Sequence, residues 1–283
     1  MKLYKKILIA LDTSEQSWHV FLEALKLVQE KGTWAVVVTV APVYLGDLGL
    51  TIIDDVYDKI YAPYEKLMKK VQEVLNEKNI TAKCVLEEGD EPFEKIVDAA
   101  YAFNCDLIIM GRSGSKLKTF FLGNTTARVI GYSPVDVLVI PYPKNVGFKK
   151  ILVAVDGSPF AEKAFSKALA LAKEHQSKLF IISVVDIPME IYAVAPEIGE
   201  KALEKRKTYI ETLVKKANEE EVKAEGFLRQ GLADEKIIEV AKEIEAELLI
   251  MGTYGRTGIK RLLMGGVTER VLSIGALPVL VVK

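Results

Sequence analysis

Short apolar runs alternate with longer stretches of helical periodicity along the whole chain. Runs near 6–11, 34–41, 81–87, 106–110 and 135–140 are rich in Val, Ile and Leu and read as strands. Near 15–31, 56–78, 91–103 and 124–132, apolar residues return every three or four places, the period of a helix with one buried face. The strand-like runs are almost continuously apolar, the pattern of strands covered on both faces. Strand–helix alternation of this kind predicts an α/β fold: a parallel sheet flanked on both sides by right-handed crossovers.

The pattern then starts again. Lys5-Lys6-Ile7-Leu8-Ile9-Ala10-Leu11-Asp12-Thr13-Ser14 returns as Lys149-Lys150-Ile151-Leu152-Val153-Ala154-Val155-Asp156-Gly157-Ser158, an offset of 144. Val37-Val38-Thr39-Val40 returns as Ile181-Ile182-Ser183-Val184, and Leu107-Ile108-Ile109-Met110-Gly111 as Leu248-Leu249-Ile250-Met251-Gly252. Second-copy strands are predicted near 150–155, 178–185, 223–229, 247–251 and 278–282. The chain therefore reads as two copies of one domain, 1–143 and 148–283, joined by a short Pro- and Gly-containing linker at 141–147.

Composition narrows the function. A formal net charge of -1 on 283 residues gives no electrostatic case for nucleic acid or an anionic membrane surface. The longest apolar runs, such as Trp34 to Val43, are too short to span a bilayer, and the first residues run directly into a strand without signal-peptide character. Cys84 and Cys105 lack CxxC spacing, so a reduced, cytoplasmic protein is expected. His19 and His175 fall in helical patterns without partners at metal-ligand spacing.

One stretch has the makings of a binding site. The run Leu248-Leu249-Ile250 leads into Met251-Gly252-Thr253-Tyr254-Gly255, and Gly265-Gly266 opens a helical pattern with Val267 and Thr268 at its start. A strand, a glycine-rich loop and a helix N-terminus suit an anion. Glycines let backbone N–H groups approach it, and the helix end supplies unpaired donors. Turn punctuation alone is the other reading of such glycines. Arg256, Lys260 and Arg261 in the loop either neutralise phosphates or form a solvated face.

The spacing Gly252-x2-Gly255-x9-Gly265 resembles the nucleotide-binding signature of the universal stress protein family, G-x2-G-x9-G-[S/T]. Gly266 departs from it by standing where the family has Ser or Thr. The resemblance implies two doubly wound parallel-sheet domains of strand order 3-2-1-4-5, of the adenine nucleotide alpha hydrolase-like kind. It further implies ATP binding, with Mg²⁺ carried by the phosphates. The site it implies is formed by Ala154, Asp156, Val184, Met251, Gly252, Tyr254, Gly255, Gly265, Gly266, Val267 and Thr268. Asp156 reads either as a turn aspartate ahead of a Ser158-Pro159 helix start or as an acceptor for the nucleoside. Val184 either offers its backbone to the adenine edge or packs in the core, and Thr268 either meets a phosphate oxygen or caps its helix.

The corresponding first-copy positions are Asp12, Val40, Gly111, Gly114, Gly123, Asn124 and Thr125, but Gly123 follows Gly114 after eight residues, not nine. A one-residue deletion should re-aim the backbone donors, and Phe120-Phe121 makes this loop bulkier, so nucleotide is expected chiefly in the second domain. Walker A, GxGxxG and GxSxG patterns are missing, and no general base is evident beside the loop, so turnover should be slow or nil. The alternatives are an interaction module that binds no nucleotide and a slow ATP hydrolase. Each copy's fifth strand, 135–140 and 277–282, is apolar and lies at a sheet edge in the implied order. Such edges seek a partner, so the two domains are expected to pair within the chain, with homo-oligomers also open.

Overall fold

A computed structural model describes residues 3–29, 32–43, 53–112, 122–187, 194–255 and 263–283. The chain divides into two compact units, with the boundary between Pro143 and Lys144.

In the first unit the strands are β1 (Lys6–Leu11), β2 (Trp34–Ala41), β3 (Ala82–Glu88), β4 (Leu107–Gly111) and β5 (Asp136–Ile140). Its helices are α1 (Glu15–Val28), α2 (Ile53–Glu77), α3 (Pro92–Ala102) and α4 (Asn124–Tyr132). The second unit has β6 (Lys150–Ala154), β7 (Lys178–Val185), β8 (Ala224–Gln230), β9 (Leu248–Gly252) and β10 (Val279–Val282). Between them run α5 (Pro159–His175), α6 (Pro196–Glu219), α7 (Ala233–Glu243) and α8 (Gly266–Ile274).

Within the first unit the strand order is β3-β2-β1-β4-β5, and within the second it is β8-β7-β6-β9-β10. Both are the expected 3-2-1-4-5 order, and the neighbours run parallel, with Ile7 opposite Leu107 in one unit and Ile151 opposite Leu248 in the other. Each unit is thus a doubly wound α/β sheet. The order reverses between the first and fourth strands, which leaves a crevice at their carboxyl ends.

Burial follows the apolar pattern. Central strands such as β1, β4 and β9 are almost wholly buried, whereas the outer strands β3 and β8 are largely half-exposed and carry Lys83, Glu87, Glu88, Glu225 and Arg229. Charges of that kind on an outer strand discourage pairing with foreign strands. Phe21 and Phe165 fill equivalent core positions on α1 and α5, both fully buried.

Helix starts are set by local chemistry. Ser14 and Ser158 cap α1 and α5 by accepting from the N–H groups of Ser17 and Ala161. The helix predicted at 15–31 ends at Val28, because the apolar period fades into Gln29 and the turn before Trp34. The histidines are packed against rings: His19 lies edge-on to Tyr142, and His175 stacks on Phe148 at 4.0 Å. Burial raises both cysteine thiols, Cys105 to about 11, which keeps them protonated and unreactive near neutrality.

Candidate functional site

The turn after β6 and the loop after β9 lie side by side at the carboxyl ends of adjacent strands. Between them opens a cleft of about 420 Å³, inside the size range of small-molecule sites. Ala154, Asp156, Val184, Met251, Gly252, Tyr254, Gly255, Gly265, Gly266, Val267 and Thr268 all line it, so every second-copy position named from the sequence comes together in one place. Residues drawn from β6, β7, β9 and α8 meet there because the sheet order puts β6 between β7 and β9.

Asp156 holds its own turn. Its Oδ1 accepts the N–H of Ser158 at 3.0 Å, and Gly157 between them takes φ +77°. Val155 N–H donates to the Ile182 carbonyl, and the buried Ser183 hydroxyl donates to the Val155 carbonyl at 2.6 Å. The aspartate is therefore both the turn residue and a wall of the cleft. In the first unit Asp12 repeats the turn, accepting from Ser14 N–H at 2.9 Å. Thr39 replaces Ser183 there, and its buried hydroxyl has no hydrogen-bond partner among the described residues.

The glycines act through close approach, since none of the four in the motif appears among the positive-φ glycines. A Cβ on Gly252 would lie 2.8 Å from Phe160 Cβ and 2.9 Å from its backbone carbonyl group, at the start of α5. A Cβ on Gly255 would lie 2.8 Å from Asp156 Oδ2, and one on Gly265 would come to 3.4 Å from the backbone of residues 253–255. Tyr254 fastens the loop, its ring tilted against Phe160 and its hydroxyl donating to the Leu263 carbonyl at 3.3 Å. Gly265 N–H donates to the Thr253 carbonyl, which closes the loop before α8 begins. No side chain caps α8, because Gly265 holds the cap position. First-turn N–H groups at such an end suit an anion.

The Thr268 hydroxyl donates to the Gly252 carbonyl at 3.0 Å and is buried. That bond ties α8 to β9, which neither sequence reading of Thr268 anticipated. Thr126 makes the same bond to the Gly111 carbonyl in the first unit. Thr125, the residue named from sequence, stands one place earlier. Gly123 N–H likewise donates to the Arg112 carbonyl, so the two loops close alike at their described ends. Asn124 opens α4 and is exposed, Gly111 ends β4, and Val40 lies half-buried in β2. Gly114, Phe120, Phe121, Arg256, Lys260 and Arg261 lie outside the described residues.

Asp186, Ala233 and Ile237 also line the cleft, and sequence reading did not name them. A signal existed for Asp186: Ile182, Val184 and Asp186 follow the two-residue period that keeps side chains on one face of a strand. Among the described residues no group of His, Cys, Asp or Glu is arranged to hold a metal ion.

Two doubly wound units, the second with the glycines of its loop after β9 at the crevice where strand order reverses, define a tandem α/β protein. The chain belongs to the universal stress protein family, whose profile matches residues 3–141 and 147–283. A universal stress protein of Methanocaldococcus jannaschii is 37% identical over 147 residues, which cover 48% of this chain and 82% of that protein. One of Bacillus subtilis is 33% identical over 151 residues, 48% of this chain and 99% of that protein. A universal stress protein from Archaeoglobus fulgidus, solved by crystallography, shares the fold with a TM-score of 0.77 at 24% identity over 98% of this chain and 96% of that one.

Proposed function

We propose that the second unit binds ATP in the cleft between the turn after β6 and the loop after β9, and that the protein responds to it as a stress or signalling component. The observation that carries this reading is the convergence of all eleven motif positions on one cleft of about 420 Å³. The uncapped start of α8 and the N–H groups of its first turn receive the phosphates. Asp156, whose like charge makes it a poor phosphate neighbour, takes the nucleoside side, and Val184 offers backbone groups to the base. Mg²⁺ then arrives on the phosphates. Nucleotide occupancy changes conformation or partner choice. The protein acts in the cytoplasm, a reducing compartment that suits its free cysteines Cys84 and Cys105.

Native mass spectrometry of the purified chain tests this directly. Retained ATP or ADP supports it, and titration calorimetry then measures the affinity. A protein that retains no nucleotide and takes up none in titration overturns it.

A second reading, an interaction module without nucleotide, draws support from Gly266 and from Thr268, whose hydroxyl is spent on the Gly252 carbonyl. Both readings make turnover slow. Asp156 and Asp186 are the acid–base candidates among the described cleft residues, and Asp156 Oδ1 already accepts the Ser158 N–H. Hydrolysis near 1 per second, the low end of ordinary enzymes, would make the protein an ATPase instead.

A further inference from the structure

Gly266 and Arg270 stand one turn apart on α8 and so share a face. A Cβ on Gly266 would lie 3.2 Å from Arg270 Nη1. The guanidinium therefore already fills space that a side chain at 266 would enter. Arg270 Nε lies 2.9 Å from Asp234 Oδ1, in the first turn of α7. Asp234 is only 9% exposed, yet that oxygen receives no hydrogen bond from the described residues. The contact is thus an ion pair without hydrogen-bond alignment. It keeps the arginine near Gly266 and leaves the N–H groups of the guanidinium uncommitted among the described residues.

The first unit fills the same places with different chemistry. Arg128 stands in α4 where Arg270 stands in α8, Asn124 replaces Gly266, and Phe93 replaces Asp234. The Arg128 guanidinium lies 3.8 Å over the Phe93 ring, and its Nη1 donates to Glu91 Oε2 at 2.5 Å. Ring and carboxylate together occupy that cation. Among the described residues Arg270 has the carboxylate contact alone, and its side chain is 56% exposed.

We propose that Arg270 is a phosphate-binding residue of the second unit's cleft, held beside Gly266 by Asp234 and standing in for the hydroxyl that position 266 lacks. The proposal rests on the ATP reading above and adds the residue that selects for charge. A helix N-terminus offers about half a unit of positive charge, and a guanidinium adds a full unit with a planar fork that matches two phosphate oxygens. Serine at 266 would bring a hydroxyl but would crowd Nη1. Gly266 and Arg270 are in this sense one solution to anion binding.

Titration calorimetry of the full chain with ATP and, separately, adenosine tests it. Arg270→Met should weaken ATP about tenfold, the effect of one charge-assisted contact at a half-exposed position, and leave adenosine unchanged. Arg270→Lys should fall between, and Arg128→Met should alter neither ligand. Unchanged ATP affinity in Arg270→Met overturns the assignment and leaves the ATP reading intact. Equal losses of ATP and adenosine also overturn it, since they mark a structural role. A wild-type chain that binds neither ligand overturns the ATP reading and the arginine's role with it.

Discussion

Gly255 faces Asp156 across the second unit's cleft so closely that a Cβ on the glycine would lie 2.8 Å from the carboxylate Oδ2. The two residues are 99 positions apart in the chain (255 − 156), and their contact joins the turn after β6 to the loop after β9. The glycine's missing side chain is what lets the cleft's acidic wall and its loop approach each other.

Gly255→Val should therefore abolish retained nucleotide. The added side chain displaces the Asp156 carboxylate and projects into the cleft, so the mechanism is a collision with the aspartate and not only a loss of phosphate space. Native mass spectrometry reads the result. Gly114→Val, in the first copy's loop, should leave the retained amount unchanged. Equal losses from both substitutions would contradict a site confined to the second unit.

Gly252→Ala should destabilise the second unit by about 2 kcal/mol, in the range of overpacked cores. Its Cβ would strike the backbone and Cβ of Phe160, which cannot move without shifting α5. Gly111→Ala meets only Val20 Cγ2 at 3.6 Å, an ordinary contact, and should cost under about 0.5 kcal/mol. Calorimetric melting of the two variants measures the contrast. Similar shifts from both would mean that the crowding at Gly252 is relieved elsewhere.

The first unit should lose stability in alkali. Tyr4 donates to Asp136 Oδ2 at 2.6 Å, and burial, reinforced by the Asp136 charge, pushes its phenol above the usual tyrosine value near 10. A folded-state value above the unfolded one means that this stabilisation is complete below about pH 10 and is lost as pH rises beyond it. Melting temperature should fall progressively as pH rises above about 10. Tyr4→Phe should cost about 1–3 kcal/mol near neutrality and show a smaller alkaline fall. An identical alkaline fall in the variant would remove Tyr4 as its source.

The sequence by itself determined what repeats locally. Continuous apolar runs marked the strands and three-to-four-residue periods the helices, matching segments 141 to 144 positions apart exposed the tandem units, and the glycine spacing led to the family and to eleven residues that share a cleft. Boundaries such as the end of α1 at Val28 came out a few residues short, because helix ends depend on where a weak period gives way to a turn. Tertiary structure alone decided the pairings across the crevice. Gly252 against Phe160, the Thr268 hydroxyl on the Gly252 carbonyl, Asp186 in the cleft wall and Arg270 between Gly266 and Asp234 join segments up to about a hundred residues apart. Periodicity reports which face of an element is buried. Which atoms meet there is set by how the sheet orders its strands, and no local pattern carries that distance.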